Sequence, residues 1–329
     1  MPQLLFEIDS NPIPEGMKSG FFTANDGKKL RYAILKPQTA LRQGTVLLLH
    51  GRNEYIEKYF ETASDLSLRG FCVATFDWRG QGRSDRLLKN PLRGYVKKFS
   101  DYTDDLDQFL KEIVLPDCPP PYFILAHSAG GLIAYSSMAC LTNRINRMVL
   151  LAPLLGIDNP RLSDDAMRRM MRIMCRLGMG RSFATGVRKL AKRPFVNNAL
   201  TSDAERFMRN QEMVQKFPEL GLGGPTCRWV SGALETAYRI NQPDYQSEPS
   251  IPVLIVAAGA DRVVSTRAIE RFASRTRNVS LAVINGAQHE LLQESDFYRE
   301  QALAAFDAFI PGTPGVDSMP PMMEPRFLV

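Results

Sequence analysis

Short, largely apolar segments recur along this chain, separated by segments with helical spacing. Residues 45–49, 71–76, 122–126 and 147–152 are nearly continuous runs of Val, Leu, Ile, Phe, Ala and Met. A strand that is apolar on both faces must be covered on both faces, which is the position of a strand in a parallel sheet between two layers of helices. The intervening segments suit those layers. Ile56, Tyr59, Phe60, Ala63 and Leu66 follow a helical period over 54–69, with Gly70 as the stop. Ser100 is placed to cap a helix through Leu106, Phe109, Leu110 and Ile113, which the prolines of 116–121 should end. A small-residue helix is expected over 130–140. Upstream, 21–23 and 30–35 flank Asn25-Asp26-Gly27, a hairpin turn signal.

The alternation halts once. From 158 to 246 the pattern is helical and basic, and strand and helix then resume with 252–258, 266–274, 279–284 and 295–309. The expected fold class is therefore α/β: a mostly parallel sheet with helices on both faces and an inserted helical cap. Its parts are a first core segment (1–157), the cap (158–246), a second core segment (247–310) and a tail (311–329). Five prolines and little periodicity make that tail read as flexible.

The 329 residues suffice for one large core with an insertion. No apolar stretch approaches the roughly 20 residues that span a bilayer. The N-terminus carries acids where an export signal needs a basic start. Five scattered cysteines without metal-type spacing read as free thiols in a reducing compartment. The expectation is a cytoplasmic protein. Its net charge of +6 is concentrated: 161–193 holds ten Arg or Lys against two Asp. Such a cluster is either a solvated face or an attraction to phosphates, including those of an anionic membrane surface.

Ser128 lies in Ala126-His127-Ser128-Ala129-Gly130, between an apolar strand and a helix. A sharp strand-to-helix turn lifts a serine hydroxyl above the sheet, and its crowding requires small residues two positions away on each side. Alanine in place of the first glycine adds one methyl group. A hydroxyl attacks only when a base takes its proton and a third group orients that base. On such a sheet the acid and then the base follow the serine, on loops beyond later strands. Asp261 falls just past the strand ending at 258, and His289 just past the strand ending at 284. Among the three histidines only His289 follows the acid. His127, next to the serine, should point away and be structural. The backbone N–H groups of Ala129 and Arg52 are the expected oxyanion donors. In 76–84, glycines two apart resemble part of a dinucleotide-binding loop. The third glycine and a suitably placed acid are missing, so no cofactor is expected, and no metal site.

Together these stretches resemble the serine α/β-hydrolase superfamily, in particular its monoacylglycerol lipase and bacterial lysophospholipase branch. The motifs are His50-Gly51 with Glu54 and Tyr59, then Asp77 with Gly80, Gly82 and Ser84, then the serine turn. Gly51–Tyr55, 101–106 and 223–226 are similar to the bacterial membrane-associated lysophospholipases. The resemblance implies the α/β-hydrolase fold, nucleophile Ser128, acid Asp261, base His289 and no cofactor.

In the cap, Met167, Met170, Met171 and Met174 recur at helical spacing, with Arg168 and Arg172 among them. Methionines suit a flexible acyl chain, and arginines a phosphate headgroup or an anionic bilayer. An amphipathic helix with its methionines on the core would give the same pattern. The expected activity is hydrolysis of a carboxylic ester of one long acyl chain, in a lysophospholipid or monoacylglycerol, extending to peripheral contact with the inner face of a membrane. General esterase or acyl-transfer activity on small esters, and a non-catalytic binding protein on this scaffold, are the alternatives. An aminopeptidase would need acids for a substrate amine, and the cap is basic. Nucleic-acid binding is not expected, because 161–193 has a single aromatic, Phe183.

Overall fold

The computed structural model describes residues 4–184, 194–242, 245 and 251–311. Among the described residues eight strands form one sheet: β1 (Lys18–Thr23), β2 (Lys29–Leu35), β3 (Gly44–Leu49), β4 (Phe71–Phe76), β5 (Tyr122–His127), β6 (Arg147–Leu151), β7 (Val253–Ala258) and β8 (Val279–Ile284). Their order is β1-β2-β4-β3-β5-β6-β7-β8. The β1–β2 hairpin and the β2–β4 pair are antiparallel, and every pair from β4–β3 to β7–β8 is parallel.

Alternate residues of the central strands enter different cores. Leu47, Leu49, Ala74, Ile124, Leu150 and Ile255 pack on one face, with the helices Ser100–Phe109, Ala129–Ser136, Cys227–Ile240 and Thr266–Ala273. Val46, Leu48, Val73, Leu125, Val149 and Val256 pack on the other, under Phe60–Leu68 and Asp296–Phe309. This is the two-sided burial expected from continuous apolar runs.

Several helix boundaries differ from the sequence expectation. The helix expected from 54 begins as a 3-10 turn, Ile56–Tyr59, and becomes α-helical at Phe60. Glu54 is withheld from it because its carboxylate turns back to the backbone of Gly51. Ser100 is the first helical residue and not the cap. The Asp101 side chain instead accepts the Lys98 N–H at 3.1 Å. That helix runs on through a π turn, Leu110–Val114, and past Pro116 to Asp117.

Between β6 and β7 lie the helices Asp164–Arg176, Ala204–Lys216 and Cys227–Ile240. Each begins on a side-chain cap: Ser163, Asp203 and Thr226 each accept the N–H group three residues on. The expected tail beyond 311, and 185–193 of the basic stretch, lie outside the described residues.

Candidate active site

Ser128 stands at the turn between β5 and Ala129–Ser136, with φ 52° and ψ −116°. A side-chain-bearing residue reaches such a conformation at a cost of about 1–3 kcal/mol, so its surroundings must hold it. They do. The Ser128 N–H donates to Leu151 O at 2.9 Å, and the Ser128 carbonyl accepts from Leu132 and Leu154 at 3.2 and 3.0 Å. The small neighbours have visible reasons. A Cβ on Gly130 would lie 2.6 Å from the carbonyl oxygens of both Leu49 and His50. Ala126 is fully packed, and its single methyl group is accommodated.

The acid and the histidine arrive on the loops that follow β7 and β8. His289 Nε2 lies 3.0 Å from Ser128 Oγ, and its Nδ1 lies 2.8 Å from Asp261 Oδ2. The other Asp261 oxygen accepts the N–H groups of Val263 and Val264 at 2.7 and 3.0 Å. Those bonds fix the carboxylate and leave Oδ2 facing the imidazole. A carboxylate only accepts, so Nδ1 carries the proton and Nε2 presents its lone pair to the hydroxyl.

Of the two expected oxyanion donors, Ala129 follows the serine directly, and Arg52 follows Gly51, on which a Cβ would lie 3.1 Å from Ser128 Cβ. Ala129 opens its helix, where the first N–H groups have no intrahelical acceptor. Arg52 lies in the loop after β3. On either side of it, Gly51 N–H donates to the Glu54 carboxylate, and Asn53 N–H donates to Gln81 Oε1 at 2.6 Å. The Arg52 guanidinium donates to Gly223 O at 2.7 Å and sits over the Trp229 ring, tying this loop to the insertion.

The six candidates of the Asp164–Arg176 helix do not converge on one groove. Met167 and Met171 are buried in the core below the helix, and Met174 packs partly against it. Met170 and Arg172 face outward. Arg168 is engaged by Asp165 and Glu235, at 3.2 and 3.1 Å, and lies over the Tyr238 ring. The amphipathic period therefore serves packing at Met167 and Met171, and it leaves a mixed outer face. On that face Met170, Ile173 and Leu177 are exposed beside exposed Arg169, Arg172 and Arg176.

The glycine-containing loop after β4 is structural. Arg31 Nε donates to Asp77 Oδ2 at 2.7 Å, and the same oxygen accepts the Arg83 N–H at 2.8 Å. A Cβ on Gly82 would fall 2.1 Å from that carboxylate. Among the described residues no cluster of His, Cys, Asp and Glu could hold a metal ion. None of their helices is long and apolar enough to cross a membrane.

Sequence reasoning alone does not place Glu54, Lys58 and Glu290 together at the site. Lys58 Nζ bridges Glu54 Oε1 and Glu290 Oε1 at 2.8 and 2.7 Å, all three side chains being at most 9% exposed. Burial alone would raise the Glu54 pKa, but Lys58 and His127 hold it well below the ordinary carboxyl range. Burial would lower the Lys58 pKa, and Glu290 and Glu54 raise it instead. Only the position of Glu54, three residues after Gly51 in the His50-Gly51 motif, hints at this.

A mostly parallel eight-stranded sheet, a serine on a strained strand-to-helix turn, and an acid and a histidine beyond β7 and β8 define an α/β hydrolase. Solved structures share the fold. A soluble variant of monoglyceride lipase from Saccharomyces cerevisiae superposes with a TM-score of 0.69 at 22% identity, covering 89% of this chain and 98% of that one. A thermostable carboxyl esterase from Bacillus coagulans gives 0.71 at 19%, covering 90% and 98%. The family description "Serine aminopeptidase, S33" matches residues 41–296, and the chain belongs to that family. Among its relatives, lysophospholipase L2 of Escherichia coli K12 is 33% identical over 88% of this chain and 86% of its own. Probable lysophospholipase L2 of Haemophilus influenzae is 30% identical over 91% and 94%.

Proposed function

We propose that the protein hydrolyses a carboxylic ester of one long acyl chain, a lysophospholipid or a monoacylglycerol, through an acyl-enzyme on Ser128. The observation that carries this reading is the unbroken contact from Asp261 through His289 to the Ser128 hydroxyl. Ser128 Oγ attacks the ester carbonyl while His289 Nε2 takes its proton. The same nitrogen then protonates the leaving alcohol, and Asp261 stabilises the imidazolium between the two transfers. The N–H groups of Ala129 and Arg52 receive the oxyanion. Water, deprotonated by His289, releases the fatty acid and restores the serine. The names of the L2 lysophospholipases support the lipid ester as substrate. A peptide amine, suggested by the family description, would need a carboxylate to receive it, and the stretch 161–193 carries ten Arg or Lys against two Asp.

The segment 158–246 acts in this reading as a cap over the ester site. The exposed stripe Met170, Ile173 and Leu177, flanked by Arg169, Arg172 and Arg176, suits peripheral contact with an anionic bilayer. Two experiments test the proposal. A fluorophosphonate should label Ser128, and Ser128→Ala should lower turnover of a long-chain lysophospholipid by about four to six orders of magnitude. Near-normal hydrolysis by that variant would refute it. In sedimentation with vesicles, the protein should pellet with anionic lipid and not with neutral lipid. Equal, negligible binding to both would remove the membrane contact.

A further inference from the structure

His127 precedes the serine and is 4% exposed, and its ring meets only acceptors at both nitrogens. Nδ1 lies 3.0 Å from Glu54 Oε2, and Nε2 lies 3.1 Å from the main-chain carbonyl oxygen of His289. Tyr59, 3.3 Å from Nδ1, directs its own hydroxyl proton to Glu54 Oε2 at 2.9 Å. A carbonyl oxygen accepts and never donates, so Nε2 bears a proton. An ionised carboxylate requires the same of Nδ1. We infer that His127 is an imidazolium and a positioning residue. Strung between the Glu54 carboxylate and the His289 main chain, it sets where the His289 ring stands above Ser128.

The surrounding charges permit this. Glu54 and Glu290 are negative, Lys58 and His127 positive, and the four cancel within one buried cluster. A buried charge that is fully paired and hydrogen-bonded is tolerated, whereas an unpaired one is not. Burial opposes the charge on His127, as does Lys58. The Glu54 and Glu290 carboxylates outweigh both and lift its pKa above the ordinary histidine value. The His289 ring is the remaining neighbour, with centroids 4.8 Å apart and planes inclined by 52°.

Glu54 gives the arrangement its reach. The oxygen that holds His127 also accepts the N–H of Gly51, one residue before the proposed oxyanion donor Arg52. One carboxylate thus ties the loop after β3 to the loop carrying the base. A shift of either loop is passed to the other through two hydrogen bonds. The inference rests on the reading of Ser128, Asp261 and His289 as the reacting residues.

Two measurements test it. The side-chain amide of glutamine can reach the position of Nε2, and that of asparagine the position of Nδ1. His127→Gln therefore keeps the donor to His289, and His127→Asn keeps only the one to Glu54. His127→Gln should lower kcat a few-fold and His127→Asn at least tenfold more than that, with KM within about twofold in both, since a misplaced catalytic group costs up to about 100-fold in rate. Equal losses in the two variants would overturn the inference, since a space-filling histidine predicts them. The second measurement is nitrogen NMR of the full chain carrying Ser128→Ala, which has three histidines. At pH 8 a ring should remain protonated at both nitrogens and its signals should vanish when His127→Gln is added, which separates it from His50, whose nitrogens face Gly51 O at 2.8 Å and Asp77 Oδ1 at 3.5 Å; finding no such ring would overturn the inference. This spectrum does not depend on turnover. Failure of fluorophosphonate labelling removes the functional reading, and absence of the doubly protonated ring removes this one.

Discussion

Gly130→Ala should disable the enzyme while leaving it folded. A Cβ at this position would sit 2.6 Å from two main-chain oxygens, those of Leu49 and His50, where ordinary contacts begin near 3.4 Å. The end of β3 and the start of the Ala129–Ser136 helix must then part by about 0.8 Å, the difference between those distances. Backbone atoms cannot swing aside as a long side chain can. Overpacking of this kind costs about 1–3 kcal/mol. Alanine recovers up to about 1 kcal/mol of it through its helix preference over glycine. The net loss of about 0–2 kcal/mol leaves a stable protein. Activity suffers more. The displaced helix carries Ala129 and its cap Ser128, whose hydroxyl lies 3.0 Å from His289. A misplacement of about 1 Å costs on the order of 100-fold in rate. Gly131→Ala is the comparison, because its Cβ would meet the Pro153 side chain at 3.0 Å and no carbonyl oxygen. The assay is kcat/KM on p-nitrophenyl butyrate, with thermal melts on the same samples. Gly130→Ala should lose about 100-fold and Gly131→Ala less than tenfold. A folded Gly130→Ala protein within threefold of the parent would refute the reasoning.

Asp261→Asn should lower kcat by about 10⁴, because an amide in place of Oδ2 favours the wrong histidine tautomer; a loss below tenfold in steady-state assays contradicts that role. Arg31→Met strands the Glu57 and Asp77 carboxylates, both fully buried against it. It should cost about 3–5 kcal/mol in denaturant unfolding, and a loss under 1 kcal/mol would be at odds with those pairs. Burial pushes the Glu61 carboxyl up, but the hydrogen bond from Arg206 and the charges of Arg299 and Arg209 bring it down to about 2. A carboxyl depressed on folding stabilises fully above its unfolded value of 4.5 and ceases to as pH falls towards 2. With solvent screening this is on the order of 1 kcal/mol. Urea unfolding should therefore show Glu61→Gln losing less stability than the parent between pH 4.5 and 2, and parallel curves would count against it.

The parallel strands are legible in the sequence because covering both faces leaves one unbroken apolar run per strand, as in β3 and β5. The order of Ser128, Asp261 and His289 is legible because each lies within five residues of the end of a strand the sequence shows, β5, β7 and β8. The buried charges are not. Glu57 and Lys58 lie in a segment whose spacing assigns polar residues to the outside, yet both are buried. Their partners are Arg31 on β2 and Glu290 after β8, and no local pattern announces a pairing across such distances. The start of that helix departs from its apparent period because Glu54 turns back to Gly51 and across to His127. In the Asp164–Arg176 helix the period is real, but a period identifies a covered face without saying what covers it.

The imidazole that meets the Ser128 hydroxyl lies 161 residues further along the chain. A polypeptide emerging from the ribosome exposes the alcohol while the acid and the base are still unmade. Only when β7 and β8 add to the open edge at β6 does the proton acceptor reach the hydroxyl. A product that ends before residue 289 has the serine turn without the imidazole that faces it, so the contact between the two is completed only after β8 has been made.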